Sequence, residues 1–352
     1  VLKELSAACK EYGMKFGVYL SPWDRNHPDY GTDKYNDVYV NMMKELFTNY
    51  GPIWELWWDG ANGEGPNGKM QVYDWDRFRK TVKALSPNTV VFSDIGPHIR
   101  WVGNESGIAG TTNWNTLDTA GFTPGKGAPK QDTLTTGNKY GKAWIPAECD
   151  VSIRPGWFYH EAEDNKVRTP ENLFDLWLKS VGRGANLLLN IPPDRRGKIH
   201  PNDSLALIEF RSLRDKNFSV NLAKQTTTQW YRGDFPSEAK QLTDGNTETG
   251  IVIKNNLLQY PVFRFNNATK INCVELMEEM SSGQTCSGFR VILWKGNKVI
   301  KTITGSTIGR KRLLTLPAEE ADMIELHIED SKGPVFLSEV GFYLIDEHHI
   351  GK

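Results

Sequence analysis

Two carboxyl groups flanking one bond can cleave it, one as nucleophile or base and one as acid, and several acids of this chain close apolar runs where they could act so. Asp59 closes the apolar run Ile53-Trp54-Glu55-Leu56-Trp57-Trp58, and Gly60 behind it lets the backbone turn away. An acid so placed emerges at the carboxyl end of a strand, whereas an isolated Asp-Gly is more often only a turn. The two Trp residues favour the first alternative. Neighbours on a strand point to opposite faces, so one ring can floor a sugar pocket while the other packs behind it. The candidates for the second carboxylate are Glu105, in Trp101-Val102-Gly103-Asn104-Glu105-Ser106-Gly107, and Glu148, in Pro146-Ala147-Glu148-Cys149-Asp150.

Other side chains could line such a site. His27 lies in Ser21-Pro22-Trp23-Asp24-Arg25-Asn26-His27-Pro28, and Arg154, Trp157 and Tyr159 lie in Ile153-Arg154-Pro155-Gly156-Trp157-Phe158-Tyr159-His160. Each has a plainer role open to it: His27 before a proline can order its loop, and Arg154 can pair with Glu148 or Asp150. Of the four cysteines, Cys9, Cys149, Cys273 and Cys286, none forms a CxxC or Cys/His metal pattern, which argues against zinc. Cys273 and Cys286 share one β-rich region and are close enough in sequence to be a candidate pair.

The elements that must position these groups alternate. The opening stretch repeats Leu2, Leu5, Cys9 and Tyr12 on one helical face and stops at Gly13. Strand signals cover residues 14–20, 53–58, 89–94, 143–147 and 185–191, with a short strand-like stretch after Glu105, a long Gly/Thr-rich loop over about 111–139, and helices signalled between the strands. Tyr35, Val38, Tyr39, Met42 and Leu46 keep helical spacing, residues 75–85 form another helix, and Thr169-Pro170-Glu171 opens one with an N-cap residue, a first-turn proline and an acid. This order implies parallel strands joined by crossover helices, with polar and aromatic residues gathered after the strands, where a (β/α) barrel places its active site. About six strands are signalled, short of the eight of a closed barrel of about 250 residues. The chain also opens on Val1 directly inside a helix, so one or two N-terminal β/α units are expected to be missing from it. No GxGxxG follows any strand, which weakens an open nucleotide-binding sheet. Past Lys216 the pattern becomes many short strands separated by Gly, Asn and Asp turns, an all-β sandwich. We therefore expect a catalytic barrel over residues 1–219 and a β-sandwich over 220–352.

Composition narrows the partners. The 352 residues are 39% hydrophobic and 24% charged with a net charge of −1, an ordinary globular balance with no basic field for nucleic acid. No run of about 18 apolar residues marks a membrane span. Twelve Trp and 32 Gly suit aromatic platforms and functional loops.

The motifs together resemble one family. Trp57-Trp58-Asp59-Gly60 is similar to the nucleophile motif of glycoside hydrolase family 29, the α-L-fucosidases. Gly184-Ala185-Asn186-Leu187-Leu188-Leu189-Asn190-Ile191-Pro192-Pro193 resembles its late barrel strand, and the loops carrying His27 and Arg154 resemble its loops. The resemblance covers residues 1–215 and implies an exo-glycosidase that removes terminal α-L-fucose from oligosaccharides or glycoconjugates by double displacement. It implies Asp59 as nucleophile, Trp57 as the apolar wall against fucose, and no required cofactor. The Gly-Asn-Glu-x-Gly pattern resembles the acid/base segment of the α-1,3/1,4-specific subgroup and favours Glu105, with Glu148 as a barrel-strand residue supporting the pocket. Retention would require the two carboxyls to approach to about 5–5.5 Å. The His-rich segment that family members carry on the first barrel strands has no counterpart here, so a non-catalytic glycan-binding or pseudoenzyme fragment is the alternative reading. Family resemblance further implies a secreted or periplasmic protein. The sequon Asn104-Glu105-Ser106, beside the proposed acid/base, leans toward an unglycosylated setting. Finally, residues 241–249 resemble the calcium loop of discoidin-like modules, with Glu339 on a matching last strand, so a structural Ca²⁺ is expected as one possibility beside a bare turn.

Overall fold

A computed structural model of the chain describes residues 1–231, 237–254 and 259–347. It divides into two compact units. The first comprises residues 1–103, 116–134 and 140–146; the second comprises 104–115, 135–139 and 147–352.

In the first unit, helix α1 (Leu2–Glu11) ends on Gly13 in the left-handed region, φ +65°, where Met14 N donates to Cys9 O at 2.7 Å. Leu2 and Cys9 pack on Phe16, Leu46 and Ile53, but Leu5 and Tyr12 of the expected apolar face are exposed. Strands β1 (Gly17–Tyr19), β2 (Glu55–Trp57), β3 (Val90–Ser93) and β4 (Ile99–Trp101) run parallel in that order. Helices α2 (Asp33–Asn49) and α3 (Trp75–Leu85) cover one face of them. Tyr39, Val40 and Met43 of α2 and Phe78 and Val82 of α3 meet Leu56, Trp58 and Val91 there. Each such buried side chain contributes about 1.5–3 kcal/mol. Asp74 caps α3, its Oδ1 accepting from Arg77 N at 3.0 Å. The segment expected to be one long loop contains β5 (Thr116–Leu117) and the short helix α4 (Gln131–Thr136). β6 (Ala143–Trp144) pairs antiparallel with β5, outside the parallel series.

In the second unit, β7 (Ala147–Ser152) and β8 (Asn186–Asn190) pair in parallel from Glu148↔Asn186 to Ser152↔Asn190. Helix α5 (Pro170–Lys179), capped by Thr169, makes the crossover, and α6 (Pro201–Asn217) follows β8. The rest is antiparallel: β9 (Thr226–Trp230), β10 (Ile251–Ile253), β11 (Pro261–Glu278), β12 (Cys286–Lys295), β13 (Lys298–Gly305), β14 (Arg312–Ser331) and β15 (Val335–Tyr343). They order β10-β15-β11-β14-β12-β13, with β9 also on β11. β11 and β14 are long and interrupted by bulges, which bend them around a core including Phe263, Phe289, Leu326 and Phe342. The chain thus joins six barrel-type parallel strands to an antiparallel β-sandwich, as its patterns imply.

Cys273 and Cys286 do not pair. Cys273 packs against Phe174, Leu313, Tyr343 and Ile345, whereas Cys286 belongs to the sandwich core, and both are free thiols. Burial pushes both thiols well above the usual range. No helix among the described residues is long and apolar enough to cross a membrane.

Candidate active site

Pairing in register sets Tyr19 beside Trp57 and Trp57 beside Phe92 across three strands. Their rings form one stack: Trp57 lies 3.9 Å from Phe92 at 10° and 5.2 Å from Tyr19 at 28°. Trp58 points the other way, into the helix layer, as alternation on a strand demands. Because Trp57 carries a ring on each side, it offers an incoming sugar an edge rather than the open face expected of a wall.

Asp59 follows directly on the side of this stack. Its Oδ2 accepts from the Tyr19 hydroxyl at 2.6 Å and its Oδ1 from Ala61 N at 2.8 Å, so both oxygens are oriented. Partial burial, then the Asp59 carboxylate, push the Tyr19 phenol above its ordinary range and keep it a donor. The backbone behind Asp59 is tightly held. A Cβ at Gly60 would collide with Gly125 N and with Asp94 Oδ2, and a Cβ at Gly125 (φ +78°) would collide with Gly60 O. Asp94 Oδ2 accepts from Gly125 N at 2.6 Å. Burial raises the pKa of Asp94, the Gly125 amide opposes this, and the Asp59 charge adds to the rise.

Tyr19 and Asp94 are absent from the sequence-based candidates. Each ends or follows a strand at its carboxyl end, the one local signal that could have flagged them. His27 orders its own loop: its Nδ1 accepts from Asp29 N at 3.1 Å, and its ring meets Tyr35 of α2 edge-on at 5.5 Å.

Glu105 is exposed on the turn after β4, in the second unit. The Asn104 side chain shapes that turn, accepting from Ser106 N at 3.2 Å and donating to Ile108 O at 2.9 Å. Glycine is required at 107, where φ is +75° and a Cβ would press on Val151. Glu148 is elsewhere than its sequence suggests. The parallel strand begins at Ala147 rather than ending there, so Glu148 sits at its amino end, fully buried, with Oε2 accepting from Asn186 Nδ2 at 2.7 Å. Active-site groups of barrels project from the opposite, carboxyl ends.

At the carboxyl end of β7, Ser152 Oγ donates to Gly156 O at 2.7 Å, and Asn190 Nδ2 donates to Ser152 Oγ and to Trp157 O, each at 3.0 Å. This presents Trp157 and Phe158 to solvent, 37% and 79% exposed. Arg154 turns inward instead. Its side chain is fully buried, with Nε 3.0 Å from Asp203 Oδ2 and an Nη 2.9 Å from Asp164 Oδ1. Burial opposes its charge, but Asp203 and Asp164 outweigh it and raise its pKa. Arg154 is therefore ion-paired within the fold, to carboxylates other than Glu148 and Asp150. Tyr159 covers it, the guanidinium lying 4.9 Å from the ring centroid, and donates to Asp164 at 3.3 Å.

In the sandwich, Asp244 Oδ1 accepts from Asn246 N at 2.7 Å and Oδ2 from Thr249 Oγ1 at 2.8 Å; Glu339 Oε1 accepts from Gly245 N at 2.7 Å. Burial, opposed by the Gly245 amide and reinforced by Asp244, pushes Glu339 up to about 7. Two facing carboxyls of this kind suit an oxygen-liganded cation, although among the described residues no group of three or more His, Cys, Asp or Glu is gathered for a metal.

The sequence profile of the α-L-fucosidase family matches residues 1–212. "Alpha-L-fucosidase 1" of Arabidopsis thaliana is 36% identical over 353 residues, covering 98% of this chain and 69% of its own length. A relative from Oryza sativa subsp. japonica is also 36% identical, with 97% of this chain and 66% of that protein covered. The chain therefore spans about two thirds of these curated relatives. Among solved structures, a glycoside hydrolase 29 family member from an unknown rumen bacterium aligns with a TM-score of 0.84 at 34% identity, covering 98% of this chain and 60% of that one. A Ruminococcus gnavus GH29 fucosidase in complex with fucose aligns with a TM-score of 0.85 at 28% identity, covering 99% and 75%.

Proposed function

The chain belongs to the α-L-fucosidase family, glycoside hydrolase family 29, and from that premise we propose that it releases terminal α-L-fucose from glycans with retention of configuration. The observation that carries this is the Asp59 carboxylate, oriented by Tyr19 and Ala61 beside Trp57 at the carboxyl ends of β1 and β2. A carboxylate with both oxygens fixed is prepared for attack on an anomeric carbon. Tyr19 holds one oxygen in place, and the Trp57 edge with the nearby rings gives the apolar side of fucose a dry surface. The fucose found in the Ruminococcus gnavus relative supports the choice of sugar.

In this proposal Asp59 forms the bond to the anomeric carbon while Glu105 gives its proton to the departing glycosidic oxygen; Glu105 then takes a proton from the water that releases fucose. The exposed turn that carries Glu105 supports an acid meeting the leaving group from the solvent side. Its Gly-Asn-Glu-x-Gly pattern supports α-1,3/1,4 linkages, and family membership supports export from the cytoplasm. The sandwich boundary near residue 220 and a structural Ca²⁺ held by Asp244 and Glu339 belong to the same proposal. A Ca²⁺-dependent rise in Tm, lost in Asp244→Asn, tests the cation.

The central test follows 4-nitrophenyl α-L-fucoside by proton NMR. The first-formed sugar is expected to be the α-anomer, and Asp59→Asn is expected to lose roughly 10³-fold or more in kcat. A β-fucose first product would overturn retention, and an Asp59→Asn variant with full activity would remove Asp59 from the chemistry.

A further inference from the structure

A second concavity lies within the first unit and does not include Asp59. It measures about 520 Å³, inside the range of about 300–1,000 Å³ typical of small-molecule sites. Its walls come from the start of α3, the turn after β3 and the segment between β5 and α4. Trp58 forms part of it, on the side of β2 away from the Tyr19–Trp57–Phe92 stack.

Two features of the lining select a ligand class. Tyr73, Trp75 and Phe122 offer flat apolar surface, and Phe122 is 40% exposed. Asp76 and Arg79, paired at 3.1 Å, and Asp74 add hydrogen-bonding groups at the rim. With two carboxylates and one guanidinium already matched to Asp76, the rim has no spare positive charge for a phosphate or an acidic sugar. Aromatic faces combined with carboxylate and guanidinium groups are the surface that a neutral pyranose, with apolar C–H faces and hydroxyl edges, complements.

We propose that this cavity is a second saccharide site, which takes a neutral pyranose unit other than the fucose being released. The choice of a sugar rests on the glycan-hydrolase function proposed above; the location does not. Such a site would hold a neighbouring part of a branched or repeated glycan and raise its local concentration at the enzyme.

The test titrates the whole chain with galactose and with N-acetylglucosamine, using intrinsic Trp fluorescence and calorimetry, alongside glucuronate as a charged control. Wild type and Asp59→Asn are both expected to bind one of the neutral sugars saturably. Phe122→Ala and Arg79→Ala are expected to weaken that binding at least about fivefold while leaving kcat on 4-nitrophenyl α-L-fucoside unchanged. Two exposed positions are used so that a folding defect in one cannot decide the result. Absence of saturable binding in an enzyme active on the aryl fucoside would overturn the second site alone. Binding abolished in Asp59→Asn but kept in Phe122→Ala would return the sugar to the first site, and preference for glucuronate would overturn the ligand class. Binding that persists in a chain without fucosidase activity would uphold the second site while the hydrolase function failed.

Discussion

The Tyr19 hydroxyl donates to Oδ2 of Asp59 across 2.6 Å, joining two side chains 40 residues apart at the carboxyl ends of adjacent parallel strands. A hydrogen bond to a charged group is worth about 1.5–3 kcal/mol. Tyr19→Phe keeps the ring stack on Trp57 and removes only this bond. It is expected to lower kcat on an aryl fucoside about 10–100-fold with KM little changed, in steady-state kinetics. Unchanged kcat would mean that Tyr19 does not orient the nucleophile.

Glu105 and Glu148 separate in their response to leaving groups. General acid catalysis contributes about 10²–10⁴-fold, most with a poor leaving group. Glu105→Gln should therefore lose far more activity on Lewis-type oligosaccharides than on 4-nitrophenyl fucoside. Glu148→Gln should show no such dependence. It is buried at the amino end of β7, and its change is expected to cost about 1–3 kcal/mol in urea unfolding.

The turn behind Asp59 has no room for a methyl group. Gly60→Ala forces Gly125 N and the Asp94 carboxyl apart, which should cost about 1–3 kcal/mol of stability. The loss of kcat should exceed what the folded fraction explains, because the displaced backbone carries the nucleophile. Circular dichroism melts paired with kcat per folded molecule check this.

Asp94 gives a pH dependence with a definite sign. Its pKa is raised in the folded state, so its contribution to stability is present at low pH and is lost as pH rises through the folded value. Asp94→Asn keeps a carbonyl oxygen for Gly125 N and removes the titration. The Tm difference between Asp94→Asn and wild type should move in favour of the variant as pH rises from about 4, where unperturbed aspartate titrates. A difference independent of pH would contradict the burial of this carboxyl.

Arg154 tests a structural ion pair against a sugar contact. Removing one partner of a buried pair costs about 3–5 kcal/mol. Arg154→Met and Asp203→Asn should both destabilise, and the double variant should cost less than the two single changes summed. A direct sugar contact would instead raise KM in Arg154→Met alone.

Much of this was legible locally. The Thr169-Pro170-Glu171 helix start depends on a few neighbouring residues, and Thr169 Oγ1 does accept from Asn172 N. Trp57 and Trp58 had to face opposite ways once residues 53–58 formed a strand, because alternation is a property of the extended backbone. The placement of Glu148 at the carboxyl end of a strand failed for a reason equally physical. The apolar run 143–147 looks like a parallel strand, but Ala143–Trp144 pairs with β5, and the buried strand starts only at Ala147. Apolar character marks burial in a sheet without saying which sheet or where its register begins.

By itself, the sequence determined the alternating parallel strands and crossover helices, the change to an antiparallel sandwich, the Trp-Trp-Asp-Gly motif and the family it belongs to. These are carried by periodicity, turn chemistry and short motifs, all set by residues close in the chain. Tertiary structure alone decided that Tyr19 steadies Asp59, that both faces of Trp57 are covered, that Arg154 is held by Asp164 and Asp203, and that Cys273 and Cys286 lie in different cores. Each of these joins residues that are distant in sequence or depends on strand register, and such contacts exist only once the strands and helices have packed.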